Sequence, residues 1–182
     1  NFLKGHDHFT NLQGSVVNNG TINATVVQLI GQQVVNNGVI LANEGMVTMV
    51  SGDEVTIAPR NGHIMVKVTN QQTKSADEAA VQNNGTIAAP KGRVSLGAGD
   101  MFTMAINNKG TIRAQDVTIQ GGQQGIVKVE GTVDVSNAQG QGGTIQVLGD
   151  KIAVSGTLDA SGATGGGTIL VGGDFQGSNP DV

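Results

Sequence analysis

Cysteine, tryptophan and tyrosine are absent from the 182 residues, and phenylalanine occurs only four times. Without cysteine there is no disulfide framework and no thiolate metal or redox centre. Without tryptophan or tyrosine there is little to stack a sugar ring on, so glycan recognition through aromatic platforms is poorly supported. Proline numbers only three, which excludes a collagen or a proline-rich linker. The net charge is −4 and the ten basic residues are scattered, so the footprint that nucleic-acid binding needs is missing. No apolar run approaches the roughly 20 residues of a membrane-spanning helix. No signal peptide opens the chain at Asn1-Phe2-Leu3-Lys4. Both ends, the other being Pro180-Asp181-Val182, read as cut from a longer protein.

Glycine, by contrast, is plentiful at 29 residues. Apolar residues make up only 37 %, and most are Val, Ile, Ala and Leu, which suit a pleated surface and a narrow core. The informative feature is a phrase that returns. It stands as Asn18-Asn19-Gly20-Thr21-Ile22-Asn23-Ala24, as Asn36-Asn37-Gly38-Val39-Ile40-Leu41-Ala42, as Asn83-Asn84-Gly85-Thr86-Ile87-Ala88-Ala89 and as Asn107-Asn108-Lys109-Gly110-Thr111-Ile112-Arg113-Ala114. Looser copies are Gly131-Thr132-Val133-Asp134-Val135 and Gly156-Thr157-Leu158-Asp159-Ala160. A period of roughly 20–25 residues is the mark of a solenoid, each repeat forming one turn of a coil. The step from Gly38 to Gly85 is about twice that period, so one copy there is degenerate or carries an insertion.

Short alternating runs lie between the phrases, among them Met46–Val50, Glu54–Ile57, Arg93–Leu96, Asp116–Ile119, Thr144–Leu148 and Thr168–Val171. Alternation over four to six residues is the strand signal. Each period then predicts strand, turn, strand, turn, strand, turn, with equivalent strands side by side in parallel. The expected fold is all-β: a right-handed parallel β-helix with three faces, about eight coils and a length near 40 Å at roughly 4.8 Å per coil. Its inward residues would be Val17, Ile22, Val39, Val47, Val55, Ile57, Ile87, Val94, Leu96, Ile112, Val117, Ile119, Val133, Ile145, Ile152 and Ile169. Tight corners would call for a positive φ, which glycine tolerates and asparagine tolerates better than most. Stacked asparagines could also bond to their copies in the next coil, as in cross-β ladders. An Asn-Gly pair equally serves a two-residue hairpin, but the regular recurrence favours the solenoid.

Residues 1–182 therefore read as a single β-helix segment with one break in the pattern. The stretch 69–82 is polar, glycine-free and weakly helix-favouring, with Ser75 a candidate N-cap and Glu78 three residues on. It is expected to be a loop or short helical excursion from the coil.

The assembled phrases resemble the region after the secretion domain in filamentous-haemagglutinin-type exoproteins of bacterial two-partner secretion. The fullest block runs from Asn83 to Met104, and a second from Gly165 to Gly177. The similarity extends from about Asn11 onward. The Asn-Pro-Asn-Gly-Ile motif of that family's secretion domain is not in this sequence, so the signal would lie upstream. The resemblance implies a right-handed parallel β-helix, exported through an outer-membrane partner pore and displayed at the bacterial surface as an adhesin or fibre. It also implies a partner that is a host or neighbouring-cell receptor or extracellular matrix. End-to-end self-association is a separate expectation, since the first and last coils would present unpaired strand edges and nothing in the sequence looks like a polar cap.

A polysaccharide lyase or hydrolase is the alternative, and it needs acids and bases converging on one face. The candidates are Asp53 with Glu54, Asp100, Asp150 with Lys151, and Asp174. Asp53, Asp100, Asp150 and Asp174 each follow glycine, a step that suits corner residues bonding backbone N–H groups. Asp134 and Asp159 occupy equivalent copies and would stack outward, where like charges repel. His6-Asp7-His8 has the side chains of a metal site but lies in an irregular segment, and His63 stands alone. Gly165-Gly166-Gly167 lacks the Lys-Ser/Thr of a phosphate loop. No catalytic, cofactor-binding or metal-binding residue is assigned, and the chain reads as a structural rod, not an enzyme.

Overall fold

A computed structural model describes residues 8–56, 65–67, 74–99, 102–122 and 124–172. Among them there is no helix, and strands follow one another closely. A short strand β1 (His8–Phe9) precedes β2 (Ser15–Asn18), β3 (Thr21–Asn23) and β4 (Val26–Gly31). Next come β5 (Gln33–Asn36), β6 (Val39–Leu41) and β7 (Met46–Ser51), then β8 (Glu54–Thr56) and β9 (Met65–Lys67). Longer strands follow: β10 (Lys74–Asn83), β11 (Thr86–Ala98), β12 (Phe102–Asn108) and β13 (Thr111–Gln120). The series ends with β14 (Ile126–Val129), β15 (Thr132–Asp134), β16 (Thr144–Leu148), β17 (Lys151–Val154), β18 (Thr157–Asp159) and β19 (Thr168–Val171).

The strands recur in sets, here called rungs, and each rung pairs in parallel with the next. The first strand position forms a six-stranded sheet in the order β17-β14-β12-β10-β5-β2. The second and third positions share one ten-stranded sheet, because β11 and β13 run through both. Down the second position register is kept residue for residue, through Ile40, Ile87, Ile112, Val133 and Leu158. All-parallel pairing in repeated sets is consistent with a β-solenoid, in which a chain advances one strand spacing per repeat and needs no crossover helix.

The core follows from alternation. Ile40, Ile87, Ile112, Val133, Val47, Val94, Val117, Ile145, Met49, Leu96 and Ile119 are sealed from solvent or nearly so and belong to one cluster. Each such side chain contributes about 1.5–3 kcal/mol on burial. Most of the expected inward residues are there, but Val17 and Val39 are not. Val17 is 51 % exposed, and Val16 takes the inward place in register with Val34. Val39 aligns with the outward Thr21 and Thr86, and Ile40 points in. Both misreadings fall in runs that are apolar throughout, where alternation carries no phase. Ile169 aligns with the buried Ile145 yet is 44 % exposed, because no described rung covers it. Ile57 lies outside the described residues.

Six rungs are present among the described residues, where about eight were expected. At roughly 4.8 Å per step, six rungs span about 24 Å from first to last. The shortfall has one cause. The second rung, β5–β7, stacks directly on β10 and β11, so the described strands β8 and β9 between them stand outside the stack. The long step between Gly38 and Gly85 is thus an insertion. Its Glu54–Thr56 strand pairs antiparallel with β1 and β9 in a separate three-stranded sheet. Val55 is buried as expected but does not join the solenoid cluster. The strand β7 beside the insertion is buried on both sides, since outward Thr48 and Val50 are as sealed as inward Val47 and Met49.

The excursion expected over 69–82 is corrected in its described part: Lys74–Asn83 is a strand, not a helical turn. Its register against β12 jumps between Lys74 and Ala79, which absorbs the irregular sequence as a bulge. Residues 69–73 lie outside the described residues.

Candidate functional site

The repeated Asn-Gly corner joins the first strand position to the second, and it is built by contacts between rungs. Asn18, Asn36, Asn83 and Asn108 occupy one column. Each amide nitrogen donates to the carbonyl oxygen of the next: Asn18 to Asn36 at 2.8 Å, Asn36 to Asn83 at 2.8 Å and Asn83 to Asn108 at 2.7 Å. Asn36, Asn83 and Asn108 are fully buried, so this inner ladder satisfies polar groups that would otherwise be costly inside a core. It stops where Val129 follows Asn108 in register. A second, exposed ladder runs beside it. Asn37 donates to Asn19 at 2.8 Å and Asn84 donates to Asn37 at 2.7 Å.

The backbone repeats the same economy. The carbonyl oxygen of Asn36 accepts from Asn84 N at 2.8 Å and Gly85 N at 3.1 Å, and the pattern recurs from Asn83 to Lys109 and Gly110. The rungs are therefore packed backbone to backbone at this corner. A Cβ on Gly38, Gly85, Gly110 or Gly131 would lie 2.0 Å from the carbonyl oxygen of the corner glycine below. The positive φ expected of these corners is not found. Among the described residues the positive-φ positions are Asn11, Glu44, Gly165 and Gly172. Glycine is required here by the neighbouring rung and not by its own dihedral.

The outward columns carry the charge. Arg113, Asp134 and Asp159 are in register on successive rungs, as expected for the two aspartates. Arg113 Nη1 lies 3.2 Å from Asp134 Oδ2, so the stacked carboxylates do not face each other uncompensated. Each also accepts a backbone N–H at 2.8 Å, Asp134 from Ser136 and Asp159 from Ser161. The Ser161 bonds hold the Asp159 carboxyl below the ordinary range. Arg93 pairs with Asp116 at 3.6 Å, and Lys91 with Glu44 at 2.8 Å, an exposed pair that lowers the Glu44 carboxyl and raises the Lys91 amine. Pairs this exposed contribute little to stability.

Among the described residues, the Asp53–Glu54 pair and Asp150 with Lys151 are not brought together. Asp53 Oδ1 accepts from Gln32 Nε2 at 3.3 Å, and Glu54 lies 3.1 Å from His8 Nε2, both at the inserted sheet. Asp150 and Lys151 are exposed at the corner before β17, on the last described rung. His6, Asp7, His63, Asp100 and Asp174 lie outside the described residues. Among the described residues, Asp134 and Asp159 are the carboxylates seen bonding backbone N–H groups. The His8–Glu54 contact had no sequence signal, since an antiparallel pairing through an insertion has no period to reveal it. Among the described residues no group of three or more His, Asp or Glu could hold a metal ion, and no helix is long and apolar enough to cross a membrane.

No protein-family model matches the chain, and no curated protein matches it.

Proposed function

We propose that the chain is a rigid, adhesive rod segment of a secreted bacterial surface exoprotein, a right-handed three-faced parallel β-helix whose role is mechanical. The reading rests on the corner. An inner asparagine ladder ties the first four rungs and an outer one the first three, while corner glycines in backbone contact continue through the later rungs, so the stack resists bending and shear. Such a stack holds a distal binding element away from the cell. Right-handed winding agrees with the strong preference of parallel strand connections for that hand. By family resemblance, export through an outer-membrane pore places it at the cell surface, with a receptor or matrix component as partner. The described candidate acids, Asp53 with Glu54 at the inserted sheet and Asp150 on the last described rung, stand apart, which does not favour an enzyme acting on polysaccharide.

Beads coated with the folded chain, exposed to epithelial cells and to matrix proteins, test the adhesive part. Retention on either above an unfolded Ile112→Asp control is expected. No retention, together with cleavage of an acidic polysaccharide by the purified chain, overturns the proposal.

A second reading, end-to-end self-association, is favoured by the outer rungs. Val17, Val26, Ile169 and Val171 are exposed there, beside strand edges that no described strand pairs. Filaments by electron microscopy would support it, and a monomer at high concentration would remove it.

A further inference from the structure

We propose that Asn19-Gly20 is a site of spontaneous deamidation in the folded protein, and that the outer ladder shields Asn37-Gly38 and Asn84-Gly85 from the same reaction. Asn-Gly is the step most prone to this chemistry, because glycine leaves its own nitrogen unhindered. The glycine nitrogen attacks the asparagine Cγ and loses its proton. The Cγ–Nδ2 bond breaks and ammonia leaves with that proton. Water then opens the resulting succinimide at either carbonyl, giving aspartate or isoaspartate. The net change is one amide and one water converted to one carboxyl and one ammonia, with no redox partner.

Three described corners share this dipeptide and are exposed at the asparagine, yet their surroundings differ. At Asn37 the leaving nitrogen donates to Asn19 Oδ1 at 2.8 Å, and the carbonyl oxygen accepts from Asn84 at 2.7 Å. At Asn84 the nitrogen donates to Asn37, and the oxygen accepts from Gln82 Nε2 at 3.0 Å. The attacking nitrogens are also occupied by backbone: Gly38 N donates to Asn18 O and Gly85 N to Asn36 O, each at 3.1 Å. Attack at either site must break ladder and backbone bonds together, which requires opening a rung.

Asn19 stands at the end of the ladder. Its oxygen accepts from Asn37, but among the described residues its amide nitrogen has no partner. Among the described residues Gly20 N donates only to the Asn18 side chain, at 3.1 Å, and none lies within 4 Å of its Cβ position. No described strand pairs with the outer edge of β2, since the residues before it lead to β1, which pairs with β8. The reaction at Asn19 therefore needs no opening of the stack.

The folded chain is incubated in mildly alkaline buffer, digested, and each Asn-Gly peptide is followed by mass spectrometry. Asn19 is expected to convert about tenfold or more faster than Asn37 and Asn84, the ratio that about 1.4 kcal/mol of difference in local opening produces. In denaturant the three should convert at similar rates. Asn37→Ala removes the acceptor of the Asn84 amide and should accelerate Asn84 in the folded chain. Conversion of Asn37 or Asn84 at or above the Asn19 rate in the folded chain overturns the proposal. Unchanged Asn84 conversion in a folded Asn37→Ala variant overturns the shielding role of the ladder.

Discussion

The Asn36 amide donates to the Asn83 carbonyl oxygen at 2.8 Å, although 47 residues separate the two. They are neighbours because β5 pairs directly with β10, while the intervening strands β8 and β9 belong to a separate sheet. Elsewhere successive rungs join through very short links, such as Gly149-Asp150 between β16 and β17. Replacing residues 52–78 with a two-residue link should therefore leave a cooperative β fold, at a cost of about 1.5–3 kcal/mol for each buried apolar residue lost or uncovered, Val55 and Val50 among them. Circular dichroism and thermal melting check this. Loss of the β signal would mean that the inserted sheet is part of the fold's foundation.

Gly110 and Gly20 occupy the same corner position on different rungs, but only Gly110 has a rung beneath it. A Cβ on Gly110 meets the Gly85 carbonyl oxygen at 2.0 Å, whereas one on Gly20 meets nothing within 4 Å. Gly110→Ala should cost about 3 kcal/mol or more, because a backbone atom cannot step aside as a side chain can. Gly20→Ala should be neutral or stabilising by up to about 1 kcal/mol through the unfolded chain. Denaturant titration reads both, and equal effects at the two sites would contradict the stacking explanation.

The inner and outer ladders differ in burial and so in worth. Asn83→Ala leaves the Asn108 carbonyl oxygen buried without a partner and the Asn36 amide with only its 3.4 Å bond to the Gly38 carbonyl oxygen, which should cost about 1–3 kcal/mol. Asn84→Ala, on the exposed ladder, should change stability by no more than about 0.5 kcal/mol. Comparable losses in the two variants would show that the inner ladder is not the stronger tie.

The Asp159 carboxyl is held low by the Ser161 N–H, which it accepts at 2.8 Å. A carboxyl whose folded pKa is depressed stabilises the fold above its unfolded pKa, and that gain fades as pH falls through the folded value. Asp159→Ala should therefore melt below the parent chain near neutral pH and converge with it in strong acid. A gap that persists unchanged in acid would show that the carboxylate charge is not the cause.

The phrase period was enough to predict parallel stacking and most of the core, because Ile112 and Val133 alternate cleanly with polar neighbours. It failed at Val16-Val17 and Val39-Ile40-Leu41, where both phases are apolar. It also placed the irregular segment too late in the chain. Glu54-Val55-Thr56 alternates like any rung strand, and only pairing partners distinguish the antiparallel insertion from a coil. Glycine's role at the corners was legible as a requirement but not as a cause. The obstacle at Gly85 is the Gly38 carbonyl, an atom of another rung that no local pattern displays.

Thr86 and Thr111 are register partners on adjacent rungs, and both point outward. The absence of native cysteine makes a Thr86→Cys, Thr111→Cys variant a clean probe of rung stacking. Parallel neighbours about 4.8 Å apart lie within disulfide reach, so mild oxidation should cross-link this pair in the folded monomer. A Thr86→Cys, Thr132→Cys variant, two rungs apart, should stay reduced under the same conditions. A reduced first pair, or a cross-linked second one, would contradict the parallel stack on which the account depends.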